Sequence, residues 1–126
     1  FYASGKDYLN DFLRMCEKHN VKPSGVGLEL GPGVGRITNH LAGLFDKLYA
    51  ADISHHNLEI CNRYLERKGI SNVETRLMLR HDDIANVGPI DCFFSVITLQ
   101  HNTPPMQLYF LTMILESLLN IIDKIQ

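Results

Sequence analysis

Apolar positions along the chain alternate between two periods. Leu9, Phe12, Leu13 and Cys16 recur at helical spacing, and Ser4 with Asp7 three residues on resembles a capping box, so the first element is a short amphipathic helix reaching Asn20. A connector over Val21 to Ser24 contains a proline. Val26 to Leu30 follows as a short apolar run carrying Glu29 near its end, the pattern of a buried strand. The helical period returns after a glycine-rich loop, with Ile37, Leu41 and Leu44 at i, i+4 and i+7 forming a stripe that faces a sheet. Leu48 to Asp52 is a second apolar strand closed by an acid. Ser54 is placed to cap the next helix, which runs through Leu58, Cys61 and Leu65 to a stop at Gly69. In Val73 to Met78, Glu74 and Arg76 alternate with apolar neighbours, which predicts a strand near an edge. Asp91 to Thr98 is a near-continuous β-branched and aromatic run, as in strands buried on both faces. Thr103 is placed to cap a last helix with Pro104 at its first position, and Met106 to Ile125 is apolar on nearly all faces.

Strands alternating with helices at this spacing predict right-handed βαβ units, hence an α/β fold with an open, doubly wound parallel sheet. Internal repeats and low-complexity linkers are absent, so residues 1–126 are expected to form a single domain. Because Phe1 opens the chain and Gln126 falls inside a helical pattern, the expectation is a domain truncated at its C-terminus.

Composition narrows the partners. The formal charge of -2 and a pI near 6.3, with no local Lys/Arg cluster, give no electrostatic footprint for nucleic acid or an anionic membrane. Leu108 to Ile122 is broken by Glu116 and is shorter than the roughly 20 residues that span a bilayer. Cys16, Cys61 and Cys92 are widely spaced, odd in number and without a CxxC pair, which points to a reducing cytoplasm and to neither a disulfide framework nor a zinc site. A small-molecule acceptor or another protein is the expected partner.

In a doubly wound sheet, ligands bind beyond the carboxyl ends of the strands, and the glycine loop "LELGPGVGR" (28–36) lies there. A phosphate-cradling loop needs GxxxxGK followed by Ser or Thr, but Arg36 takes the place of its second glycine and no lysine follows. A dinucleotide loop needs GxGxxG, and its third glycine again falls at Arg36. The pattern that does match is an acid followed by GxGxG: Glu29, Gly31, Gly33 and Gly35. Asp52, about 20 residues on and ending the second strand, is placed to accept hydrogen bonds from a ribose diol. Arg36 is expected to be a solvated first-turn residue, and His55 and His56 to open a solvated helix.

The loop resembles the first motif of class I methyltransferases that use S-adenosylmethionine. That resemblance covers Val26 to Ile125 and implies a Rossmann-like core with strand order 3-2-1-4, lacking the family's last strands. It implies that Glu29 lies toward the cofactor's ammonium, that bare backbone at Gly31, Gly33 and Gly35 lets the ribose and methionyl chain lie flat, and that Asp52 holds the ribose. Ile53 would pack on the adenine, and an acid of "RHDDI", Asp83 in preference to Asp82, would approach the adenine amine, with a helix N-cap as the equal alternative for either acid. The stretch "SVITLQHNTPP" is similar to a bacterial subgroup often encoded near sugar- and glycan-modifying enzymes, which implies a small-molecule or glycan hydroxyl or amine as acceptor. Family members that methylate the amino groups of bases or glutamine share (Asn/Asp)-Pro-Pro-(Tyr/Phe), whereas Asn102, Thr103, Pro104, Pro105 and Met106 are shifted by one residue and lack the aromatic.

Methyl transfer from a sulfonium is an in-line displacement, so positioning and exclusion of water carry most of the catalysis. A hydroxyl acceptor must still lose its proton. His101 is the candidate general base, an imidazole titrating near ~6.5 when unperturbed, with Gln100 and Asn102 as orienting groups. A catechol-type magnesium site would need an acid after the fourth strand, and none stands between Ile97 and Gln107, so no metal is expected. Two readings from other classes stay open: an NAD-binding oxidoreductase domain using the same crevice, and a non-catalytic methyltransferase-like subunit that self-associates through the flank of the fourth strand and the Met106 helix.

Overall fold

A computed structural model describes residues 1–96 together with residues 104, 105, 108, 111, 112 and 115. Four strands, β1 (Val26–Leu30), β2 (Lys47–Asp52), β3 (Val73–Leu77) and β4 (Cys92–Ser95), form one sheet in the order β3-β2-β1-β4, the order the sequence implies. All three pairings are parallel. The helices are α1 (Gly5–Lys18), α2 (Thr38–Leu41) and α3 (His55–Arg67). The successive crossovers β1 to β2 and β2 to β3 advance in one direction, so right-handedness puts α2 and α3 on the same face.

The pleat of β1 points Leu28 and Leu30 one way and Gly27 and Glu29 the other, and both faces are covered. The first face packs Leu28, Leu30 and Ala51 against Met78, Ile84, Val87 and Ile90, which come from the end of β3, the 3-10 turn His81–Val87 and the residues after it. The second packs Ile37, Leu41, Ala42, Phe45, Leu48 and Phe94, with Tyr8, Leu9 and Phe12 of α1 set against them. Phe12 meets Phe94 edge to face at 5.2 Å. Burying a side chain such as Leu41 or Leu48 stabilises the fold by about 1.5–3 kcal/mol. β3 is the edge strand that its alternating Glu74 and Arg76 predict.

Three details of the sequence reading are corrected. Ser4 does not cap α1 with its side chain. Residues Tyr2–Ser4 already turn as a 3-10 helix, which gives Ser4 helical angles and makes its hydroxyl donate back to the Phe1 carbonyl. Nor is Arg36 simply solvated, since its guanidinium lies over the rings of Phe1 and Tyr8 at 5.6 and 4.8 Å. The helix after the glycine loop is also short, passing from α2 into a 3-10 turn at Ala42–Leu44. Ser54 caps α3 as expected, accepting from the Asn57 amide at 3.2 Å, and Gly69 ends that segment with φ +71°. The described residues near the C-terminus, Pro104 among them, are helical, with Leu108, Leu111 and Leu115 exposed, while Thr103 lies outside the described residues. No helix among the described residues is long and apolar enough to cross a membrane.

Candidate cofactor site

Where β1 ends, its backbone is gripped from both sides. The Gly31 amide donates to the Ala51 carbonyl of β2 at 2.8 Å, and the Leu30 carbonyl accepts from the Ser95 hydroxyl of β4 at 3.2 Å. The loop then turns through Gly31, Gly33 and Gly35 at φ +77°, +57° and +94°, a region that side chains strain to enter. The last two glycines serve different needs. A Cβ on Gly35 would lie 2.9 Å from the Cys61 sulfur, so this glycine lets α3 pack under the loop. A Cβ on Gly33 would meet nothing within 4 Å, so the bare backbone there borders open space.

Asp52 ties this loop to the end of β2. Its Oδ2 accepts from the Gly33 amide at 3.0 Å and its Oδ1 accepts from the Ser54 amide at 3.0 Å. Each oxygen therefore keeps a lone pair, and the side chain is partly exposed. Ile53 beside it is 76 % exposed, a large apolar side chain held out from the fold next to a carboxylate.

Glu29 is placed differently from Asp52. It is buried, and its Oε1 accepts from the buried Thr38 hydroxyl at 2.5 Å. Desolvation, with a smaller contribution from the Asp52 charge and partial relief from the Thr38 hydrogen bond, lifts its pKa to about 7. Glu29 thus lies beneath the loop, buried and held by Thr38 rather than exposed as Asp52 is. Burial, followed by the charge of Glu29, likewise pushes the Cys61 thiol up to about 12, so Cys61 packs as a neutral side chain.

Asp83 stands apart from this group. Its Oδ2 accepts from the Leu79 and Arg80 amides at 2.8 and 2.9 Å, which stabilises the start of the 3-10 turn after β3. It also borders a cleft of about 200 Å³ lined by Ala51, Met78, Asn86 and Val87, and Ala51 precedes Asp52 directly. His101, Gln100 and Asn102 lie outside the described residues, as does the Asp82 side chain. Glu29, the three glycines, Asp52 and Ile53 are therefore brought together at the ends of β1 and β2, with Asp83 at the neighbouring end of β3. Sequence reasoning missed Tyr2, whose hydroxyl donates to the Val34 carbonyl of the loop at 3.1 Å. The only sequence signal was an aromatic pair followed by Gly5 just before the first helix.

Residues 28–119 match a family model described as a methyltransferase domain. Among solved structures, the chain is 27% identical to an rRNA methylase from Streptococcus thermophilus, over 77% of this chain and 57% of that one, with a TM-score of 0.62. A DhpI–SAM–HEP complex is 25% identical over 87% of this chain and 50% of that one, with a TM-score of 0.66. An S-adenosylmethionine-dependent methyltransferase from Clostridium acetobutylicum shares the fold at 17% identity, with a TM-score of 0.70 over 90% of this chain and 45% of that one. The chain spans about half the length of these structures. No curated protein matches it.

Proposed function

The chain belongs to the methyltransferase-domain family, and on that premise we propose that it binds S-adenosylmethionine at the ends of β1 and β2 and methylates a hydroxyl or amine of a small molecule or glycan. The observation that carries this reading is the bond between Asp52 and Gly33, which joins a half-exposed carboxylate to a loop whose bare backbone borders open space. A ribose diol needs such an acceptor, and a flat ligand needs such a backbone. The exposed face of Ile53 suits an adenine ring, and the Glu29 carboxyl under the loop, which a positive group would draw into its ionised form, suits an α-ammonium. Asp83 at the adjacent cleft is our candidate for the adenine amine, through the oxygen its backbone bonds leave over.

When bound, the cofactor supplies an activated methyl sulfonium. The chain's own contribution is to hold it in line with the acceptor, to keep water out, and to take the acceptor's proton, the role we assign to His101. A solved complex of DhpI with SAM, 25% identical, supports the cofactor. For the acceptor, the net charge of -2 supports a small molecule or glycan over a polyanion. An RNA acceptor is the second reading, favoured by the likeness to an rRNA methylase.

The test is a calorimetric titration of S-adenosylhomocysteine into the protein and its Asp52→Ala variant, with NAD as the control ligand. Saturable binding that the substitution weakens supports the cofactor reading, and a preference for NAD replaces it with an oxidoreductase. Methyl transfer from labelled cofactor to glycans, small hydroxyl and amine compounds, or ribosomal RNA then decides the acceptor, and a His101→Ala variant that binds cofactor normally but transfers slowly supports the base.

A further inference from the structure

The segment ahead of α1 packs against the glycine loop, α2 and α3, and the cofactor contacts above use none of it. Tyr2 alone reaches three elements. Its hydroxyl donates to the Val34 carbonyl at 3.1 Å, its ring stacks on Tyr64 of α3 with centroids 3.6 Å apart and planes 7° apart, and its own carbonyl lies 3.0 Å from His40 Nε2 of α2. Gly5 follows so closely against the loop that a Cβ there would lie 2.0 Å from the Arg36 carbonyl oxygen. Arg36 in turn covers the Phe1 and Tyr8 rings.

Val34 stands between Gly33 and Gly35, both at positive φ. Rotating the peptide plane between Val34 and Gly35 would swing the Val34 carbonyl off the Tyr2 hydroxyl, so this one bond reports and restrains the shape of the loop. A loop containing three glycines has many shapes to lose, and restraint imposed before a ligand arrives lowers what binding must cost. The Tyr64 stack places the hydroxyl, since a ring clamped on α3 has little rotamer freedom left.

We propose that Tyr2 is a positioning residue for the cofactor loop, its hydroxyl holding the Val34 carbonyl so that the Gly33 face is preformed. The proposal rests on the reading of that loop as the S-adenosylmethionine cradle. Tyr2 acts through the loop and need not touch the ligand. Loss of one neutral hydrogen bond predicts a modest, specific effect.

The experiment titrates S-adenosylhomocysteine into the wild-type protein, Tyr2→Phe and Asp52→Ala, and records the melting temperature and the amide exchange of Gly33 and Gly35 without ligand. Tyr2→Phe keeps the ring stack, so the expected result is about five-fold weaker binding, faster exchange at the two glycines, and a melting temperature no more than about 5 °C below wild type. Binding by Tyr2→Phe within about two-fold of wild type, with Asp52→Ala impaired, overturns the Tyr2 proposal and leaves the cofactor reading standing. A larger fall in melting temperature overturns it as well, since the hydroxyl is then a folding contact. If the wild type does not bind, or Asp52→Ala binds as well as wild type, the cofactor reading falls and the Tyr2 proposal with it.

Discussion

Two turns at the carboxyl ends of the parallel strands, after β1 and after β3, end in similar chemistry and draw on distant residues to different degrees. After β1, four bonds that shape the turn come from elsewhere in the chain, Gly31 to Ala51, Gly33 to Asp52, Leu30 to Ser95 and Val34 to Tyr2, beside the local bond from Gly35 to Pro32. After β3, Asp83 bonds Leu79 and Arg80, its own near neighbours. The first turn takes its shape only when the sheet and the N-terminal segment are assembled around it. The second is tied to β2 by the Met78 amide, which donates to the Asp52 carbonyl at 2.8 Å, and is otherwise capped from within by Asp83, with Leu79 82 % exposed beside it. Long-range pinning of a glycine-rich backbone spends the binding energy of the fold on holding one shape, which is useful where a ligand must find it ready.

Gly35→Ala should do the most damage to the pinned turn. At φ +94° with Cys61 at 2.9 Å, the new methyl is both strained and overpacked, and a loss of about 4 kcal/mol is expected in denaturant unfolding. A Cys61→Ala background should restore part of it by relieving the contact alone.

Glu29 comes next. Its folded pKa of about 7 lies above the ordinary 4.5, so the folded state holds this proton more tightly than the unfolded one. The associated stability is fully present below about pH 4.5 and is lost as pH rises through 7, about 3 kcal/mol in all. Unfolding of wild type against Glu29→Gln across that window should show a steeper decline in wild type, and parallel curves would sink the idea.

For Asp52→Ala, both backbone amides lose their acceptor and the proposed ribose contact goes with them, so affinity for S-adenosylhomocysteine should fall about 100-fold. The smallest effect belongs to the local turn. Asp83→Ala should lower stability by about 1 kcal/mol, as lost helix caps do, and lower affinity far less than Asp52→Ala. If calorimetry ranks the two acids the other way, the contrast between the pinned and the self-capped turn has no functional meaning.

Strand positions were legible because strands covered on both faces are apolar over most of their length, and "VGLEL" and "LYAAD" carry one charged residue each. The GxGxG loop was legible because only glycine tolerates successive positive φ near other atoms, and Asp52 because it ends a strand at the right interval. Ser4 misled for a physical reason: a capping box describes a chain entering a helix from extended backbone, whereas this chain enters already turning. Arg36 misled because its partners, Phe1 and Tyr8, belong to a segment about thirty residues earlier in the chain.

Local pattern was therefore enough for the elements and for the glycine loop, since each depends on periodicity or on the stereochemistry of single residues, while the strand order came from the family resemblance. Whether an acid faces a ligand or lies beneath the backbone is another matter. Glu29 and Asp52 read alike in the chain, yet one is buried against Thr38 with its proton held to about pH 7 while the other half emerges beside Gly33. Desolvation and long-range hydrogen bonds separate them, and both exist only once distant residues have been brought together.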